Sequence, residues 1–193
     1  MQNLLIIPGL GDDVRYTKFL TGNWEKKYNI KSHVVAFGWW GDSNKFNERF
    51  EKMKKYLDDF IEKNENVSIL GISAGGSAAI NLFSQKKDKL RYAVIVCGRL
   101  HDSNLRSMWY LRKKDLGVFE ESIKLCEKNI DQLSEGDKKR ILTIRPLYDE
   151  IVPVRTMTIK GAENKRINSV QHMVSISLAL TLYSGIIAKF LKS

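Results

Sequence analysis

The sequence VSILGISAG spans residues 67–75, and this stretch decides how the rest of the chain is interpreted. An apolar run of strand length leads into the pattern Gly-x-Ser-x-Gly, which is formed by Gly71, Ser73 and Gly75. A serine on a sharp turn between a strand and a helix needs neighbours without a Cβ atom, and glycine meets that need. Residues 74–85 continue with apolar side chains at helical spacing. The stretch therefore predicts a strand, a tight turn that exposes a hydroxyl, and a helix.

Apolar runs of strand length recur along the chain and alternate with helical patterns. Strands are predicted at residues 4–7, 33–37, 67–70, 92–96 and 141–144, a strand-like piece at 157–159, and helices at 17–28, 44–64, 74–85, 118–133 and 172–191. Strands that alternate with helices form a parallel sheet covered by helices on both faces. The predicted fold class is therefore α/β with a mostly parallel sheet.

The length and composition predict one domain, 1–193, because 43% of its 193 residues are hydrophobic and can fill a core. Residues 98–140 are too many for a simple crossover between strands, and we interpret them as a helical insertion. Ligands bind at the carboxyl ends of the strands in open α/β sheets. The insertion is therefore predicted to act as a cap over Ser73.

The formal net charge of +10 raises the alternative of an acidic partner such as nucleic acid. Tight basic clusters occur at 112–114 and 138–140, whereas basic and acidic residues intermingle at 48–63 as on a solvated helix face. No nucleic-acid recognition motif accompanies the charge. We therefore expect no nucleic-acid partner, and binding through the two clusters is kept as the weaker alternative.

No apolar run approaches the roughly 18 residues of a membrane span, and no basic segment precedes the run at 4–7. The expected location is accordingly cytoplasmic. The two cysteines, Cys97 and Cys126, are too few and wrongly spaced for a disulfide framework or a zinc site, and we expect both to be reduced and structural. No cofactor or metal is expected, because no phosphate-binding glycine loop or cluster of metal ligands is present.

A serine hydroxyl becomes a strong nucleophile only when a base takes its proton and an acid orients that base. Of the three histidines, only His172 lies downstream of both Ser73 and a suitably placed carboxylate. That carboxylate is Asp149, which follows a predicted strand and precedes Pro153. The chain order is thus serine, aspartate, histidine.

This order resembles that of the α/β-hydrolase superfamily, and within it the chain is similar to the compact serine hydrolases of the retinoblastoma-binding-protein-9 type. The resemblance is carried by residues 8–12, 71–75 and 148–153 and by His172. It implies the α/β-hydrolase fold and a catalytic triad in which Ser73 is the nucleophile.

The resemblance also implies an oxyanion hole made by the backbone N–H groups of Leu10 and Ala74. The family often has histidine where this chain has Pro8, but a backbone donor does not need that side chain. Residues 168–171 lack the glycine that often precedes the family's histidine. Asp102 is an alternative acid, because some members of the superfamily place the acid after the preceding strand.

Four residues are candidates for a substrate pocket: Gly11, Trp39 and Trp40, which follow predicted strands, and Trp109, which is in the insertion. Gly11 is also the less favoured alternative to Leu10 as the oxyanion donor. Trp39 and Trp40 follow the second predicted strand and point toward the rim where Ser73 lies, so they either line the pocket or pack beneath the cap.

These residues predict a metal-independent serine hydrolase that cleaves an ester or related acyl bond in a small molecule through an acyl-enzyme. Thioester, carboxylester and amide bonds all remain open, as does the oligomeric state. The alternative is a binding protein that uses a hydrolase scaffold with weak or no activity. Geometry separates the two, because a triad requires His172 within hydrogen-bond reach of Ser73 and Asp149.

Overall fold

The computed structural model of the protein describes residues 1–102 and 116–193 and contains one six-stranded sheet in which neighbouring strands pair in parallel. The strands are Gln2–Ile7 (β1), Ile30–Val34 (β2), Val67–Ile72 (β3), Ala93–Val96 (β4), Ile141–Arg145 (β5) and Glu163–Arg166 (β6). Their order across the sheet is β2-β1-β3-β4-β5-β6, so β3 and β4 lie at its middle. The predicted parallel sheet is confirmed.

Helices cover both faces of this sheet. They are Val14–Thr21 (α1), Trp24–Tyr28 (α2), Phe46–Lys63 (α3), Gly75–Lys86 (α4), Gly117–Gln132 (α5), Glu135–Lys138 (α6), His172–Leu180 (α7) and Ser184–Phe190 (α8). Alternate side chains of β1 point to opposite faces: Leu5 and Ile7 pack with α3, α4 and α5, whereas Leu4 and Ile6 pack with α2, α7 and α8. Burial on both faces explains why the central strands are continuous apolar runs.

Two helices that the sequence predicts as continuous are broken in the structure. The predicted helix 17–28 is divided into α1 and α2 at Gly22 and Asn23. Glycine is a poor helix former. The side chain of Asn23 makes no capping hydrogen bond to α2. The predicted helix 172–191 is α7 and α8, separated by residues 181–183. Within the described residues no single helix is long and apolar enough to cross a membrane; these two pass that test only when joined across their 55° bend.

Two strand predictions are also corrected. The strand predicted at 33–37 begins and ends three residues earlier, as β2, and the strand-like piece 157–159 is unpaired although its apolar ends are buried. The sequence does not predict the edge strand β6, because all four of its residues are exposed and polar and form no apolar pattern. A charged edge strand discourages pairing with further chains.

The segment 98–140 does not form a cap over its whole length. Helix α5 begins at Gly117 and places Phe119, Ile123 and Cys126 in the core beside α3 and α4. It is therefore the helix that connects β4 to β5 across one face of the sheet, and its apolar positions match that burial. Residues 103–115 lie outside the described residues, and a cap formed by them stays a prediction.

Candidate active site

Ser73 lies on a strained turn between β3 and α4. Its φ of +52° is in the left-handed region, which is uncommon for a residue with a side chain. A Cβ atom on Gly71 would lie 2.2 Å from the carbonyl oxygen of Gly75, and one on Gly75 would lie 2.1 Å from the carbonyl oxygen of Ile7. Both glycines are thus required by close backbone approach, and the turn presents the Ser73 hydroxyl at the carboxyl end of the sheet.

The structure brings the three predicted triad residues together. His172 Nε2 lies 2.9 Å from Ser73 Oγ, and His172 Nδ1 lies 2.6 Å from Asp149 Oδ2. Asp149 and His172 are both buried, while Ser73 is partly exposed. A hydrogen-bonded chain therefore runs from a buried carboxylate to an accessible hydroxyl.

The chemistry of the partners fixes the direction of these bonds. An ionised carboxylate only accepts hydrogen bonds, so the Nδ1–H of His172 donates to Asp149. In the neutral imidazole the other nitrogen, Nε2, then carries a lone pair and accepts the Ser73 O–H. His172 is thus oriented to take a proton from Ser73.

Backbone bonds hold the acid in place. The Asp149 Oδ1 atom accepts the N–H groups of Ile151 and Val152, at 2.9 and 2.7 Å. This leaves Oδ2 directed at His172. The two carboxylate oxygens therefore have separate functions, one fixing the side chain and one orienting the imidazole.

The start of α7 holds the histidine. His172 is the first residue of this helix, and its backbone N–H donates to the carboxylate of Glu150 at 3.0 Å. Gln171 precedes it in extended backbone with φ of −145°, so no glycine is needed at this position, and its side chain caps the helix. No sequence pattern predicts a function for Glu150, and its position beside Asp149 is the only signal for it.

Asp102, the alternative acid, has other partners. Its carboxylate pairs with Arg155 at 3.1 Å and with the buried guanidinium of Arg99 at 3.6 Å, and its backbone N–H donates to Glu127. His172 instead pairs with Asp149. The geometry therefore favours Asp149 over Asp102.

The loop after β1 provides a setting for the predicted oxyanion donors. Within the described residues, no hydrogen-bond partner is present for the backbone N–H of Leu10 or of Ala74. A Cβ atom on Gly9 would lie 3.0 Å from the Cβ of Ser73, so this loop touches the nucleophile. The N–H of Ala74 directly follows the nucleophile, and an oxyanion hole formed by these two N–H groups stays a prediction.

Two side chains hold this loop, and neither was predicted to do so. The carboxylate of Asp12 accepts the backbone N–H groups of Phe37, Gly38 and Trp39, which ties the loop after β1 to the loop after β2. The indole N–H of Trp39 donates to the carbonyl of Pro8 at 3.1 Å. An acidic residue directly after a glycine-rich loop was the available signal for Asp12.

The predicted pocket residues separate into three groups. Gly11 and Trp40 line a cavity of about 400 Å³ that opens at Ser73 and His172. Trp39 is fully buried and does not line this cavity, so it packs and holds the loop instead. Trp109 lies outside the described residues.

Both cysteines are free and buried. Burial, reinforced by the negative charge of Asp149, raises the pKa of the Cys97 thiol, and burial likewise raises the pKa of Cys126. A protonated buried thiol is a poor nucleophile, which leaves Ser73 as the candidate. Within 1–102 and 116–193 no three His, Cys, Asp or Glu side chains are grouped so that they hold a metal ion.

One of the two basic clusters makes intramolecular contacts. Arg140 donates to the carbonyl groups of Lys87 and Leu90 and pairs with Asp137 at 2.9 Å, while Lys138 pairs with Glu135. The other cluster, 112–114, lies outside the described residues.

A strand–elbow–helix at the centre of a parallel sheet, followed by an acid and a histidine at the same edge, defines the α/β-hydrolase fold, and the chain has this fold. Among solved structures, it is similar to Est1E from Butyrivibrio proteoclasticus, with 14% identity, a TM-score of 0.70 and coverage of 98% of this chain and 86% of that one. It is also similar to a monoacylglycerol lipase from Paleococcus ferrophilus, with 14% identity, a TM-score of 0.61 and coverage of 98% and 93%.

A third similar structure is the RedJ thioesterase of the prodiginine pathway in Streptomyces coelicolor, with 13% identity, a TM-score of 0.59 and coverage of 97% and 89%. No protein-family profile and no curated protein sequence matches the chain. The structural neighbours are esterases, lipases and thioesterases of the α/β-hydrolase superfamily, and at this identity they establish the shared fold. They do not support the narrower resemblance to the retinoblastoma-binding-protein-9 type.

Proposed function

We propose that this protein is a serine hydrolase that cleaves an ester or related acyl bond of a small molecule. The observation that carries the proposal is the hydrogen-bonded chain from Asp149 through His172 to Ser73, with the serine on a strained turn that opens into a cavity. The esterase, lipase and thioesterase neighbours support the same reaction class.

In the proposed reaction, His172 Nε2 removes the proton of Ser73 as the hydroxyl oxygen attacks the substrate carbonyl. Asp149 stabilises the imidazolium that forms. The N–H groups of Leu10 and Ala74 bind the oxyanion, and each such donor is typically worth about 3 kcal/mol of transition-state stabilisation. His172 then protonates the leaving alcohol or thiol as its bond to the acyl carbon breaks.

A water molecule completes the cycle. It attacks the acyl group on Ser73 while His172 takes its proton, and His172 returns that proton to Ser73 as the carboxylic acid leaves. The cytoplasmic location and the expected lack of nucleic-acid binding remain predictions beside this proposal.

The test is hydrolysis of p-nitrophenyl butyrate by the wild type, Ser73→Ala and the control Ser84→Ala. Ser84 lies on α4, the helix that follows the turn, and is not among the residues that line the cavity. We expect kcat/KM to fall by roughly 10⁴-fold or more in Ser73→Ala and to be unchanged in Ser84→Ala. No hydrolysis by the folded wild type, or equal rates in all three, would favour a binding protein on a hydrolase scaffold.

A further inference from the structure

The cavity that opens at Ser73 extends between two helices of one face of the sheet. Thr17 and Leu20 of α1 line one side, and Ile176 and Leu180 of α7 line the other. Thr17, Ile176 and Leu180 are buried, so this end lies inside the protein, whereas Trp40 is 46% exposed at the mouth. We use the name inner cleft for the part lined by these four residues of α1 and α7.

Thr17 is the one polar side chain among the four that line the inner cleft, and the carboxylate of Asp13, which also lines the cavity, is exposed and accepts the N–H of Tyr16. The hydroxyl of Thr17 donates to the carbonyl of Asp13, and the hydroxyls of Tyr16 and Ser177 bond to each other between α1 and α7 at 2.7 Å. Helix α7 carries no Lys, Arg, Asp or Glu. A charged or hydroxylated group in the cleft would lose its hydration without replacement, so the cleft selects against it.

The order of the proposed reaction decides which half of the ester lies there. After the first step the alcohol must leave and water must reach the acyl carbon, while the acyl group stays bonded to Ser73. The exposed mouth beside Gly11 and Trp40 is the route for this exchange. The enclosed end therefore suits the group that stays attached.

We propose that the inner cleft binds the hydrocarbon chain of an aliphatic acyl group, with Ile176 as a residue that sets the preferred chain length. This rests on the proposed function, because it places the acyl group on Ser73. The substrate class is accordingly an ester or thioester whose acyl chain is aliphatic and carries no charged group.

The first test compares two ester series with the wild-type protein. In one, p-nitrophenyl esters carry acyl chains of increasing length; in the other, acetate esters carry alcohols of increasing length. We expect kcat/KM to rise by about fourfold per buried methylene along the acyl series, to a maximum, and to stay flat along the alcohol series. A rise along the alcohol series, or no rise along the acyl series, would overturn the proposal.

The second test changes the size of the cleft. Ile176→Phe should move the maximum to shorter acyl chains and Ile176→Ala to longer ones. Val174→Phe is the control, because Val174 is on the same helix, is 51% exposed and does not line the cavity. An unchanged maximum in both Ile176 variants, with folding verified by circular dichroism, would contradict the proposal.

Labelling by diisopropyl fluorophosphate separates this proposal from the function on which it rests. The small reagent reports an activated serine and has no chain to fill the cleft. Labelling of Ser73 together with a flat acyl series would overturn the acyl site alone. Failure of the folded wild type both to label and to hydrolyse any ester would overturn the hydrolase function and this proposal with it.

Discussion

The nucleophile half and the acid–base half of the site are specified in different ways. The nucleophile half, Gly71 to Gly75, is set by local backbone geometry, since two glycines allow contacts that any Cβ would block. The acid–base half joins residues 23 positions apart in the chain, Asp149 and His172. A short motif can therefore specify the first half, whereas only the folded sheet and α7 assemble the second.

The two halves should nevertheless act as one catalytic unit. Ser73→Ala and His172→Ala should each lower kcat/KM by roughly 10⁴-fold or more, and the double variant should lose little beyond either single one. The reason is that each group acts through the other. Steady-state hydrolysis of one ester by the four proteins measures this, and losses that multiply in the double variant would show that the halves work independently.

The nucleophile half should be the more sensitive of the two to changes in the backbone. Gly75→Ala should lower the free energy of unfolding by about 3 kcal/mol or more, because its Cβ would overlap the carbonyl of Ile7. Gly136→Ala is the matched control: it lies in α6, and a Cβ there meets nothing closer than 3.7 Å. Thermal unfolding compares the two, and equal melting temperatures would refute the packing argument.

The loop that touches the nucleophile depends on a contact across the sheet end. Asp12→Asn replaces one acceptor oxygen with an NH₂ group that faces backbone N–H donors of the loop after β2, so the loop after β1 should shift. We expect kcat to fall by about tenfold to a hundredfold, with KM little changed. The control is Asp42→Asn, an exposed residue without a side-chain cap bond; an equal loss there would point to a general charge effect.

In the acid–base half, a substitution should reduce activity less when it keeps the hydrogen bond of the original side chain. Glu150→Ala removes the acceptor for the His172 N–H, and we expect kcat to fall by about threefold to tenfold. Glu150→Gln keeps an acceptor oxygen and should restore most of kcat. The kcat and KM of both variants measure this, and equal losses would show that charge, not the hydrogen bond, is what matters.

A region far from the site should affect stability without affecting activity. Hydrogen bonding to Lys87, with further bonds from Ser134 and Arg140, lowers the pKa of Asp137. A carboxyl whose pKa is lowered by folding adds to the free energy of unfolding. This contribution is fully present at pH values above the ordinary aspartate pKa of about 3.9, and it is lost as the pH falls below that value. Asp137→Asn should lower the free energy of unfolding at neutral pH by about 1 kcal/mol, and the difference between variant and wild type should shrink at low pH. Urea unfolding at pH 7 and pH 3 measures this, and equal unfolding free energies of the two proteins at both pH values would contradict it.

The contrast between the halves also explains what the sequence could predict. The strands β1, β3, β4 and β5 and the helices α3 and α4 follow from apolar runs and helical spacing. The polar edge strand β6 and the breaks after α1 and α7 do not, because edge pairing and helix ends depend on tertiary contacts.

The same holds for the site residues. The spacing of the glycines predicts the turn that carries the serine, and the order serine, aspartate, histidine along the chain predicts Asp149 and His172 as its partners. Glu150, Asp12 and the indole N–H of Trp39 act through backbone groups distant in the chain, so no sequence pattern records those partners.

The central claim is that Ser73 is the nucleophile and that the acid–base half of the site activates it. The most direct measurement is tandem mass spectrometry of the wild type and Asp149→Ala after brief treatment with diisopropyl fluorophosphate. The account predicts one adduct per chain, on Ser73, and much slower labelling in Asp149→Ala. An adduct on another residue, or equal labelling rates in the two proteins, would contradict it.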